Sequence, residues 1–185
     1  MNLNRYTQRG QEAILASQEI AGGYNHSQIE PEHLLLALLQ QEDGVAGEVL
    51  RQVGADPAAV AGQLEGELAR RPKAYGSNTQ SGLAGATSRV LQEAYAEANR
   101  MKDDYVSTEH ILLALAGDGG GNVARLFGRL GINRDKLLAA LTAIRGNQRV
   151  TSQNPEATYQ ALEKYGRDLT QRARQGKLDP VIGRD

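Results

Sequence analysis

The sequence predicts an all-α fold: a pseudo-two-fold pair of four-helix repeats, about eight helices in all, followed by a linker and a further helix. Three observations carry that expectation. Glu32-His33-Leu34-Leu35-Leu36-Ala37-Leu38 returns as Glu109-His110-Ile111-Leu112-Leu113-Ala114-Leu115, identical at six of seven positions and offset by 109 − 32 = 77 residues. The same offset, held without a gap, pairs Ala21 with Ala98, Ile29 with Val106, Val53 with Leu130, Gly54 with Gly131 and Leu64 with Leu141. A duplicated unit of this length builds a pseudo-symmetric body. Apolar residues also recur at helical spacing throughout, and no stretch alternates in the manner of a half-buried strand.

The elements follow in order. Thr7 caps a first helix to about Gly22, with Ala13, Ile14, Ser17, Ile20 and Ala21 along one face. Gly10 inside it costs roughly 1 kcal/mol relative to alanine. Pro31, at a favoured first helical position, opens a second helix that ends near Gln41. A third runs from about Val45 to Val53 and stops at Gly54, and Asp56-Pro57 starts a fourth with Val60, Leu64 and Leu68 facing inward. Residues 71–82 are rich in turn formers and read as a connector. The pattern then repeats: a fifth helix from about Leu83 to Met101, a sixth after Ser107, a seventh after Gly119-Gly120-Gly121, and an eighth after Asn133 that buries Leu137, Leu141 and Ile144. Residues 147–158 are polar, carry Pro155 and read as a flexible linker, and Tyr159, Leu162, Tyr165 and Leu169 mark one more helix before Gly176.

Composition narrows the function. The 21 basic and 22 acidic residues leave a formal charge of −1, so no basic field attracts nucleic acid or anionic lipid. With no cysteine there are no disulfides, thiolate nucleophiles or usual zinc frameworks, and with no apolar leader or membrane-length run the chain is expected to be cytoplasmic. Tryptophan is absent and Phe127 is the one phenylalanine, so leucine, alanine, valine and isoleucine must make the core.

Two Glu-His pairs, Glu32-His33 and Glu109-His110, invite a metal or hydrolase reading. Adjacent helical residues point about 100° apart, however, so neither pair forms a site alone. Both glutamates fall instead in a first helical turn, where a carboxylate favours the positive end of the helix dipole. Gly117-Asp118-Gly119-Gly120-Gly121-Asn122 lacks the lysine and hydroxyl of a phosphate loop and reads as a flexible loop. The basic residues Arg167, Arg172, Arg174 and Lys177 are interrupted by acidic ones and read as a solvated or interdomain face. Tyr6 has no apolar partner four positions into the first helix, where Gln11 stands, and is expected to be a surface contact.

The doubled Glu-His-Leu/Ile-Leu-Leu-Ala-Leu unit resembles the N-terminal repeat domain of Clp unfoldases. The tail, Tyr159-Gln160-Ala161-Leu162-Glu163-Lys164-Tyr165-Gly166-Arg167-Asp168-Leu169-Thr170 and then Gly176 to Asp185, looks like the junction into the first AAA+ module of the ClpB disaggregase family. The resemblance implies a Clp repeat domain over residues 1–146 (repeats at about 3–72 and 80–146), a linker over 147–158 and the start of an ATPase module over 159–185. It implies a non-enzymatic fragment, expected to be monomeric, that engages unfolded or aggregated polypeptides. The parent would be a hexamer that uses ATP and Mg and works with other chaperones; no cofactor is expected in the fragment itself. An adaptor-binding domain of a protease-partnered unfoldase is the alternative. By the same resemblance Thr7, Asp103 and Glu109 handle substrate, and Tyr6, Ile14, Leu83 and Tyr95 match an apolar groove between the first and fifth helices. The copies differ at Thr7 against Ala84 and at His26 against Asp103, so the two halves need not bind alike.

Overall fold

The computed structural model describes residues 2–75 and 82–156; the helix expected at 159–175 and most of the connector's tip lie outside them. The described residues up to Arg145 hold eight α-helices, in two sets of four: α1 (Gln8–Gly23), α2 (Pro31–Gln40), α3 (Val45–Gln52) and α4 (Pro57–Arg70), then α5 (Gly85–Arg100), α6 (Thr108–Leu115), α7 (Asn122–Arg129) and α8 (Arg134–Arg145). The caps read from sequence start them. Thr7 accepts from the Gly10 N–H at 3.1 Å, Asp56 from Ala58 at 3.1 Å and Asn133 from Lys136 at 2.9 Å.

The central pair α2 and α6 is apolar on nearly every side, with Leu34, Leu35, Leu36 and Leu38 answered by Ile111, Leu112, Leu113 and Leu115, all at most 1% exposed. A helix apolar all round must be enclosed. Accordingly α1 packs against α2 as α5 packs against α6, and one apolar cluster joins both copies. The backbone repeats as closely as the sequence: Asn25 and Lys102, 77 apart, both take φ of 58°, and Gly54 and Gly131 take 88° and 73°.

The copies are joined by parallel strand fragments that alternation could not reveal, because each is only two residues long. Strand β1 (Gln28–Ile29) pairs with β2 (Gly82–Leu83), and Tyr6 bridges to Val106. Because Tyr6 is equivalent to Leu83 and Ile29 to Val106, the two pairings are images of each other, the reciprocity expected of a two-fold interface. The Ala84 N–H donates to Ile29 O at 3.1 Å and the Thr7 N–H to Val106 O at 2.9 Å. Leu83 therefore belongs to a strand and not to the start of α5.

The glycine-rich stretch is more built than a flexible loop. Residues Asp118–Gly120 form a 3-10 turn, and a Cβ on Gly120 would lie 1.9 Å from the Leu115 carbonyl, so only glycine fits.

The largest departure is at the expected linker. Residues 147–156 lie against the helical body as a strap: Val150 is fully buried, Pro155 is buried, and Glu156 is 2% exposed. The strap supplies acceptors that local sequence does not advertise. The Asp104 N–H donates to Val150 O at 2.8 Å and the Gln8 N–H, an orphan donor at the start of α1, to Gln153 O at 2.7 Å.

Candidate functional site

The duplicated Glu-His pairs are helix starts of a specific kind. In α2 the Glu30 N–H donates to His33 Nδ1 at 2.8 Å, and in α6 the Ser107 N–H donates to His110 Nδ1 at 2.8 Å. Histidine thus takes the place that Glu or Gln holds in a capping box. A backbone donor at Nδ1 puts the ring proton on Nε2, and what Nε2 meets is where the copies diverge. His33 Nε2 meets His26 Nδ1 at 2.8 Å, whereas His110 Nε2 donates to Asp103 Oδ2 at 2.7 Å.

In the first copy, burial and then the neighbouring His26 lower the His33 pKa to about 4. Protonation would also place a second donor against the capping N–H. A base with a depressed folded pKa contributes stability that is complete above the unfolded value, about 6.5, and is lost as pH falls toward the folded one. His26→Asp gives the first copy the second copy's carboxylate and is expected to move the acid-unfolding midpoint to lower pH. Far-UV circular dichroism against pH checks this, an unmoved midpoint counting against it.

In the second copy Asp103 also accepts from Arg145 Nη2 at 2.6 Å and from the Val150 N–H at 2.9 Å. Burial alone would raise its pKa, but the bonds from His110, Arg145 and Val150 outweigh it and bring it to about 2. Arg145, 5% exposed, turns its Nη1 toward Glu109 Oε1 at 3.6 Å. The equivalent of Arg145 in the first copy is Leu68, and Glu32, the equivalent of Glu109, pairs there with Arg71 instead.

Glu156 completes it from the strap. Its Oε2 accepts from the Thr7 hydroxyl at 2.7 Å, the Thr108 N–H at 3.1 Å and the Thr108 hydroxyl at 3.4 Å. Thr7 serves twice, accepting at the head of α1 and donating to Glu156. Thr7, Asp103 and Glu109, expected to share a role, therefore lie in one buried polar cluster linked through Glu156 and Arg145, neither of which the sequence reading named. The signal available for Arg145 was its position, a charge where the other copy has an inward leucine.

Burial, and next the Glu109 carboxylate, raise the Glu156 pKa to about 7. The released strap would have an ordinary glutamate near about 4.3, so the docked form holds its proton to higher pH. Docking is then strongest in acid and weakens as pH rises through about 7. The groups facing Glu156 and its network are Glu109 on α6, Arg145 on α8, and Asp103 and His110 behind them. Glu156→Gln should hold the strap equally well at pH 6 and pH 8, whereas wild type should loosen. Val150 amide exchange, corrected for its intrinsic pH dependence, reads the difference, and parallel profiles would refute it.

The apolar set divides. Tyr6 is 1% exposed, its ring edge-on to Tyr95 with centroids 5.5 Å apart, so the expected surface contact is a core residue. The helix start gave no staple partner because the partner is on α5. Burial carries its phenol above the ordinary range. Ile14 is also buried, at 7%, while Leu83 and Tyr95 are half-buried against the core and Arg5 lies 5.8 Å over the Tyr95 ring. On α1 the exposed apolar residue is Leu15.

Ser107, His110 and Asp103 align as hydroxyl, imidazole and carboxylate, with Ser107 Oγ 2.9 Å from Nδ1. That order alone does not make a hydrolase. Ser107 and His110 have no exposed surface, Nδ1 is occupied by a backbone N–H, and no nucleophile is reachable. Among the described residues no group of His, Cys, Asp or Glu could hold a metal, and no helix is long and apolar enough to cross a membrane.

Comparison with known proteins gives the relationship. The model of the Clp repeat (R) N-terminal domain matches residues 5–130. All of the chain aligns, at 45% identity over 188 residues, with the chaperone protein ClpB of Bacillus cereus, of which it spans 22%. The fold is similar to that of the Hsp104 N-terminal domain from Candida albicans, with a TM-score of 0.69 and 22% identity over 82% of this chain and 98% of that one. It is also similar to the ClpV N-domain solved in complex with a VipB peptide, with a TM-score of 0.61 and 19% identity over 76% of this chain and 86% of that one. The eight-helix fold and the match over residues 5–130 establish that the chain belongs to the Clp repeat (R) N-terminal domain family.

Proposed function

We propose that this chain is the substrate-engaging N-terminal domain of an ATP-dependent protein disaggregase, which captures unfolded or aggregated polypeptide and passes it to an ATPase ring. The observation that carries the reading is the 45% identity to a ClpB chaperone across all of the chain, tail included. The polar cluster supports a local role: Thr7, Asp103 and Glu109 meet at one seam between α1, α6 and α8, and Tyr6, next to Thr7, packs on half-buried Tyr95. ATP, Mg, a hexameric ring, other chaperones as partners and a cytoplasmic setting belong to the parent in this reading, with the fragment itself a monomer.

Weak capture by a preformed helical surface suits the task, because several mobile copies on one ring raise the local concentration of client without tight binding. Titration of isotope-labelled chain with reduced, carboxymethylated α-lactalbumin tests it. Responses along α1, α5 and the Thr7 and Glu109 helix starts are expected, and a flat titration would overturn the reading. The second reading, an adaptor-binding domain, is favoured by one observation, the peptide-bound ClpV N-domain of similar fold. Saturable binding of a folded adaptor, with none of the unfolded protein, would select it.

A further inference from the structure

The three polar residues assigned to client handling are closed off by the chain itself. Thr7, Asp103 and Glu109 are 0%, 8% and 1% exposed, and the strap over residues 147–156 bonds directly to the first two. No client can touch them while the strap is down.

The strap is held as a peptide is held. It offers two backbone carbonyls, of Val150 and Gln153, to N–H groups of Asp104 and Gln8. It buries two small apolar side chains, Val150 and Pro155, and six residues after the valine it seats one carboxyl, Glu156, between the first turns of α1 and α6. Backbone bonds that give affinity and side-chain pockets that give selectivity are how proteins take up peptide segments. Its departure would leave the Gln8 and Thr108 N–H groups, the Thr7 hydroxyl and an apolar socket for Val150 without their present partners. Those are the features another segment of similar chemistry would satisfy. Glu109, 1% exposed and accepting no hydrogen bond among the described residues, stands beside the carboxyl seat. The seat therefore favours an acid that can arrive with its proton.

We propose that the face between the first turns of α1 and α6 is a receptor for client segments that carry a small apolar side chain followed, about six residues on, by a carboxyl group, and that residues 147–156 occupy it in cis and compete with the client. The proposal rests on the client-binding reading above. Released strap also lengthens the tether to whatever follows, so capture and reach are coupled.

The chain has no cysteine, so Gln8→Cys with Gln153→Cys gives a strap that one oxidation locks and reductant frees. Val150→Asp frees it by placing a charge in an apolar socket. Two probes are used with the full chain: a fluorescent peptide of residues 148–157 and reduced, carboxymethylated α-lactalbumin. A strap docked about nine-tenths of the time lowers apparent affinity about tenfold, so the reduced form is expected to bind both probes about tenfold more weakly than Val150→Asp, and the locked form to bind neither. The peptide should also displace the unfolded protein. Equal client binding by the locked and reduced forms overturns the competition while leaving the client reading standing. Peptide binding by Val150→Asp with no client binding by any form removes the client reading, and the proposal with it. Should Val150→Asp lose its helical circular dichroism, the locked and reduced forms of the cysteine pair decide alone.

Discussion

Asp103→Ala is expected to lower the unfolding free energy by about 3–5 kcal/mol, because it removes one partner of a buried ion pair. Arg145 is 5% exposed, its Nη2 bonds to Asp103 at 2.6 Å and its Nη1 lies 3.6 Å from Glu109. The same change strips the acceptor from His110 Nε2 and from the Val150 N–H, so the α6 start and the strap loosen together. Asp103→Asn can keep its Oδ1 as acceptor for Arg145 and the Val150 N–H while losing the acceptor for His110, and should fall between. Acid has the same effect by another route: the depressed pKa, about 2, means that Asp103 contributes stability above the ordinary carboxylate value and loses it as pH falls toward 2. Urea unfolding at pH 7 and pH 3 measures both, and a loss for Asp103→Ala below about 1 kcal/mol would show that the network relaxes around the gap.

Tyr6→Ala is expected to cost about 3–5 kcal/mol, the range for deleting a buried aromatic ring. The ring is 1% exposed and packs edge-on against Tyr95, and its residue bridges to Val106, so the loss falls on the seam between the copies. Leu83→Ala, at the equivalent position, should cost far less, since Leu83 is only half-buried. The contrast makes Leu83 the cleaner probe of client binding. Thermal unfolding of the two variants side by side reads the difference, and equal losses would mean that the seam is as symmetric in energy as in sequence.

The helices were legible because their signals are local. Thr7, Pro31, Asp56-Pro57, Ser107 and Asn133 each sit within a few residues of the groups they cap, and leucines at helical spacing declare the inner faces. The seam was not legible in the same way. Two-residue strands have no period to detect. Tyr6 lacked a staple partner nearby because its partner, Tyr95, lies 89 residues further along the chain (95 − 6 = 89).

The polar cluster was half legible. Thr7, Asp103 and Glu109 entered through a family resemblance, and the mismatch of His26 with Asp103 marks where the hydrogen bonding of the two copies diverges. What joined them stayed hidden: Glu156 meets Thr7 across 149 residues of sequence, and a polar stretch that looks too poor to bury anything turns out to be anchored by one valine, one proline and its own backbone carbonyls. Composition measures what a segment can contribute to a core, not what donors the core leaves open for it.

The most direct test is the exchange rate of the Val150 amide with and without saturating unfolded protein. That N–H donates to Asp103 at 2.9 Å only while the strap is down. If clients reach the face by displacing residues 147–156, its exchange should accelerate as the carboxymethylated protein is added, in proportion to the fraction bound. A Val150 amide that stays as protected at saturation as in the free chain would contradict the account.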